Sequence, residues 1–125
     1  MLKEIKKLIK IILKGKYDID SFCCNEFFEV VLSSEEETRR LNFGDRIVYT
    51  KFYEEELANK INFPYFNLLG KKIANTTLIQ DTDSQLLKKI ESDTGNFYSA
   101  DDLKHYIIIA VNYVMDIVTF DDVKD

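Results

Sequence analysis

The sequence predicts an all-α fold, a single domain over residues 1–125 built as an antiparallel bundle of four to six helices. Three observations predict it. Apolar residues recur at three- and four-residue steps in several segments, and capping patterns stand ahead of several of them. Only four glycines and one proline punctuate the 125 residues, few for a β domain with many tight turns. At 46% hydrophobic and 13% aromatic, the chain has the material for a substantial core.

The elements follow in order. In "MLKEIKKLIKIILKG" the residues Leu2, Ile5, Leu8, Ile9, Ile12 and Leu13 share one helical face, lysines occupy the other, and Gly15 ends the helix. Asp18 or Asp20 then caps a second helix carrying Phe22, Cys23, Phe27, Val30 and Val31 on one side. Ser34 with Glu37 is a capping-box pattern for a third, supported by Glu35 and Glu36 four residues before Arg39 and Arg40. Residues 45–60 favour helix through the stripe Tyr49, Tyr53, Leu57 and Ile61, although "RIVYTKFY" alone has strand-like composition. Pro64 implies a break near Asn62 and Phe63 and a short helix after it. Thr82 with Gln85 caps "DSQLLKKIE", and "SDTGN" closes that helix. Ser99 with Asp102 caps a final helix, "ADDLKHYIIIAVNYVMDIVTF", stapled by Tyr98 and Leu103 and apolar all round, as a central bundle helix must be.

Charge narrows the functional classes. Residues 1–16 hold six lysines against Glu4, a net of +5 within a chain of −5, so the remaining 109 residues carry −10. Such a body repels nucleic-acid phosphates and attracts basic partners. From residue 81 onward ten acids face four basic residues, interspersed with Phe97, Tyr98, Tyr106 and Tyr113. Acids around aromatic anchors are what a binder of a cationic groove needs, and Asp81, Asp83, Asp93, Tyr98, Asp101 and Asp102 are the candidate binding residues. The longest apolar stretch, "YIIIAVNYVMDIV", is too short to span a bilayer and contains Asn112 and Asp116, and lysines interrupt the N-terminal apolar residues where a signal peptide needs a continuous run. A cytoplasmic protein without a membrane partner is expected.

Cys23 and Cys24 staple no loop and lack the converging ligands that zinc requires; on a helix they would point about 100° apart, which suits packing better than metal or redox chemistry. His105, the single histidine, stands beside Asp101, Asp102 and Tyr106, so a general base oriented by Asp101 at i−4 is conceivable, but no nucleophile is visibly paired with it. The chain has no Gly-rich phosphate loop, no H-E-x-x-H and no dinucleotide fingerprint. The reading therefore expects no enzyme, no cofactor and no metal.

The N-terminal "LKGKYDIDSFCCNEFFEV", with Gly15, Lys16, Tyr17, Phe22 and Phe27, resembles the opening of small all-α colicin-D-immunity-like proteins, a group that includes immunity proteins of contact-dependent inhibition systems. The Phe22 to Phe27 spacing is one residue longer than in that group, and "YSADDLKHYIIIAVNYV" is similar to its polar-capped final helix. The resemblance covers the first 32 and last 28 residues. It implies a helical bundle whose acidic surface covers the basic active site of a cognate nuclease toxin, often an RNase, and it carries over no recognition residue by position. Three other readings stay open: a phage-encoded nucleic-acid mimic that inhibits a defence nuclease, a small enzyme using His105 with nearby acids, and a helical adaptor or oligomerisation domain.

Overall fold

The computed structural model describes residues 9–60, 65 and 76–125, and its architecture is built on β-strands. Among the described residues eight strands run in the order β1 (Ile9–Lys14), β2 (Asp18–Cys24), β3 (Phe28–Ser33), β4 (Thr38–Asn42), β5 (Ile47–Glu54), β6 (Thr76–Asp81), β7 (Lys104–Ile109) and β8 (Tyr113–Thr119). Residues Glu55–Lys60 (α1) and Gln85–Asp93 (α2) are α-helical, as is Tyr65, and a 3-10 turn covers Ala100–Asp102. The expected helical bundle is thereby corrected, as are the first, second, third and final helices in their described parts. The break at Asn62 and Phe63, the helix at Pro64 and the N-terminal half of the first helix lie outside the described residues.

All pairings within the two sheets are antiparallel. The larger sheet has the order β1-β6-β7-β8-β5 and the smaller is the meander β2-β3-β4. One layer of core joins them: Ile19, Phe28, Val30, Leu32, Leu41 and Phe43 from the small sheet and its flank meet Leu13, Leu78, Tyr106, Ile108, Met115 and Ile117 from the large one. The reverse face of the large sheet is also covered. Ala58 of α1 packs with Ile79, Ile107 and Val114, while Leu87 of α2 packs with Leu103 and Val118.

This two-sided burial explains why the final segment reads as helix. In a strand with one wet face apolar and polar residues alternate, but β7 and β8 are buried on both faces and so present nearly continuous apolar runs. Such a run has the same periodicity signature as a central helix, and only its β-branched content, Ile107 to Ile109 with Val114, Ile117 and Val118, favours strand. The turn between them is Val111–Asn112, closed by a hydrogen bond from the Ala110 amide to the Tyr113 carbonyl (2.9 Å). The Asn112 side chain then receives the Ile19 amide (2.9 Å) and donates to the Ile19 carbonyl (3.1 Å), which fastens β2 to the tip of this hairpin. The strand composition noticed in "RIVYTKFY" belongs to β5, and the helix forecast for 45–60 survives only as α1.

Few glycines suffice because Asn and Ser residues make several of the turns, including Asn25 and Ser34. One glycine is indispensable. Gly44 has φ +86° and its Cα lies against the Asp121 carboxylate, whose Oδ1 accepts a hydrogen bond from Arg46 Nη2 (2.6 Å). A β-carbon there would collide with that carboxylate and also force an L-residue into the left-handed region. Gly44→Ala is expected to destabilise the fold by about 2 kcal/mol or more, read as a lowered urea midpoint at unchanged m-value.

Candidate functional site

Two assemblies of polar residues stand out, one buried and one on the surface. The buried one is a row across the face of the large sheet that α1 and α2 cover. Strand pairing sets it: Asp81 on β6 lies directly opposite His105 on β7, and Asp116 on β8 is one step diagonal to His105 because Ile107 is its direct partner. On β5, Tyr53 completes the row by donating its hydroxyl to Asp116 Oδ2 (2.8 Å).

His105 is the centre of this row. Its Nε2 is 2.7 Å from Asp116 Oδ1 and its Nδ1 is 2.7 Å from Ser84 Oγ. Ser84 is the N-cap of α2, with extended backbone, and its Oγ accepts from the Leu87 amide (3.2 Å). Donors and acceptors balance when Nε2–H donates to Asp116 and Ser84 O–H donates to Nδ1, leaving the serine oxygen free to take the Leu87 N–H. The Tyr65 hydroxyl donates to Asp81 Oδ2 (2.6 Å) and lies 3.5 Å from the same Nδ1, with its ring edge-on to the imidazole. Asp81 Oδ1 also accepts the Asp83 amide (3.0 Å), which shapes the turn from β6 into α2.

The phenols report the low polarity of this layer. Burial is the main cause that pushes Tyr53 far above its ordinary range, with the Asp116 charge and hydrogen bond adding to it. Tyr65 is raised in the same way, first by burial and then by its bond to Asp81.

The surface assembly lies where α2 ends. Glu91 Oε1 accepts the Ala100 amide (3.0 Å), which brings the end of α2 beside the 3-10 turn and so gathers Asp93, Tyr98, Asp101 and Asp102. Phe97 projects from this region, 78% exposed, with its ring edge-on to Tyr98 at 4.9 Å. Tyr98 in turn packs on Phe120.

The candidate residues therefore separate. Asp93, Tyr98, Asp101 and Asp102 fall together, although Asp93 is paired with Lys89 (2.7 Å). Asp83 is at the opposite end of α2, about 15 Å away by helix rise, and is paired with Lys88 (2.8 Å). Asp81 is buried in the polar row and presents no binding surface. His105 is on a strand, and its carboxylate partner is Asp116 rather than Asp101. Cys23 and Cys24 are exposed on the edge strand β2, where successive side chains alternate faces, and they do not serve as buried packing. No group of three or more His, Cys, Asp or Glu suited to a metal ion occurs among the described residues. Likewise, no helix among them is long and apolar enough to cross a membrane.

Together these features define a two-sheet β protein with helices over one face of its larger sheet. Comparison with family models, with curated proteins and with solved structures finds no match to the chain.

Raised phenol values fix the sign of an alkaline effect. A group whose folded value lies above its unfolded value, here 10.0, contributes stability that is complete below that pH and is lost as pH rises beyond it. Unfolding free energy is expected to fall steeply above pH 10, and absorbance at 295 nm should show Tyr53 and Tyr65 ionising only with unfolding. Tyr53→Phe should make the loss shallower.

Proposed function

We propose that the chain is a protein-binding inhibitor, an immunity-type partner of a basic nuclease domain. One observation carries this reading: Phe97 stands in solvent beside Tyr98, within a surface that also holds Asp93, Asp101 and Asp102. A large apolar ring held out among carboxylates suits a cationic groove, in which charge sets the rate of encounter and the ring sets the lifetime of the complex. The −10 carried by residues 17–125 supports the same partner chemistry. The helical bundle implied by the colicin-D-immunity-like resemblance is absent from the described fold, so the proposal rests on this surface and on the charge of the chain. A helical adaptor is not retained.

The decisive probe is the product of the adjacent open reading frame, purified as a catalytically inactive variant and mixed with this chain in stopped flow at low and high salt. Association is expected to slow as salt increases. The triple variant Asp93→Lys, Asp101→Lys, Asp102→Lys should cut the association rate at least tenfold. Phe97→Ala should instead raise the dissociation rate, costing about 2 kcal/mol of affinity. A neighbouring product that is not a basic nuclease, or association indifferent to the triple variant, would sink the proposal.

A further inference from the structure

We infer that Ser84, His105 and Asp116 form a nucleophile relay able to cleave a small, uncharged carboxylic ester, a chemical capacity separate from partner binding. The geometry is an unbroken chain in which a hydroxyl meets one imidazole nitrogen at 2.7 Å and a carboxylate meets the other at 2.7 Å. That is the arrangement by which a base activates a serine while a third group orients the base.

Capping α2 requires only Ser84 and the Leu87 amide. The histidine and aspartate behind the serine add nothing to the cap, yet both are buried in an otherwise apolar layer, and Tyr53 further fixes the Asp116 carboxylate. The local chain path also suits a nucleophile: strand β6, a two-residue turn and then Ser84 at the start of a nine-residue helix, the positive end of whose dipole favours the negative charge that develops on attack. The Tyr65 hydroxyl, 3.5 Å from Nδ1, puts an oxygen beside the nitrogen that must hand a proton to a leaving group. It marks where a departing alkoxide oxygen would sit, and also what has to be displaced for substrate to enter. Two carboxylates flank His105, Asp81 and Asp116, which disfavours anionic substrates; Ile107 and Val118 on the same face favour a short apolar one.

The step balances without another reagent. Ser84 Oγ bonds to the ester carbonyl carbon while its proton passes to His105 Nδ1, and Asp116 holds the imidazolium through Nε2–H. The carbon–oxygen bond to the alcohol breaks, and the alcohol leaves with the proton from Nδ1. Water then attacks the acyl-serine carbonyl carbon, giving a proton to Nδ1; the bond from that carbon to Ser84 Oγ breaks, Oγ takes the proton back from Nδ1, and the carboxylic acid is released.

The test uses p-nitrophenyl acetate as substrate and a fluorophosphonate as covalent probe. The wild-type chain should release nitrophenolate at least roughly 10²-fold faster than Ser84→Asn, a variant that keeps an N-cap acceptor and so keeps α2 while lacking the nucleophile. Mass spectrometry should place the phosphonate on Ser84. Asp116→Asn should lower kcat and move the pH–rate profile, and Tyr65→Ala should speed labelling by opening the approach to Nδ1. Hydrolysis by Ser84→Asn equal to wild type, or no labelling in either wild type or Tyr65→Ala, would overturn the relay and confine Ser84 to capping.

Discussion

Everything in this molecule depends on the central strands of the large sheet, β6, β7 and β8, being dry on both faces. They are the shared wall of two core layers, one closed by the small sheet and the other by α1 and α2. Area bookkeeping makes this the dominant stabilising term, since Ile107, Ile108, Ile117 and Val118 are all fully buried and each such side chain contributes roughly 1.5–3 kcal/mol relative to exposure. The same dryness raises the stakes for every polar group placed there. Asp81, Ser84, His105 and Asp116 persist in that layer because each has a hydrogen-bond partner within it.

The two polar assemblies therefore have different physical characters. In the buried row, hydrogen bonds are strong because water is excluded, and geometry is held by four adjacent strands plus the cap of α2. At the surface, the charges around Phe97 are individually weak and screened, and they act on encounter more than on lifetime. One helix connects the two: Ser84 begins α2 above the histidine, and Glu91, near its end, holds the 3-10 turn that carries Asp101 and Asp102.

Local signals in the sequence were sound where a feature is local. The helix over "DSQLLKKIE" and its close at "SDTGN" correspond to observed structure, although its cap is Ser84 and not the expected Thr82 with Gln85, and the strand-like composition of "RIVYTKFY" belongs to β5 against the helix expected over 45–60. What misled was non-local. In "HYIIIAVNYVMDIV" the apolar run reads as a helix interior because nothing in the run itself says that two different layers will cover its two faces. The polar row was invisible for the same reason: Ser84, His105 and Asp116 lie 21 and 11 residues apart and come together only through the pairing of β6, β7 and β8. His105 stands out in the sequence as the single histidine, but its carboxylate is the cross-strand diagonal neighbour Asp116 and not the i−4 residue Asp101 that a helix would offer. The exposure of Asp93, Asp101 and Asp102, by contrast, is legible because solvated charge needs no tertiary partner, whereas Asp81, grouped with them on charge alone, is buried by the pairing of β6 with β7.

Strand order has a further consequence for how the chain is made. β1 is an edge strand whose partner in the sheet, β6, follows it by more than sixty residues, and β5 waits equally long for β8. During synthesis the isoleucines of β1 are thus translated well before anything exists to pair with them. Lys10 and Lys14 flank Ile12 on the exposed side of that strand, opposite Ile9, Ile11 and Leu13, and the register shifts between Ile11 and Lys14 distort its edge. Both devices discourage one nascent chain from templating another. Lys10 and Lys14 are thus guardians of a slow, long-range assembly.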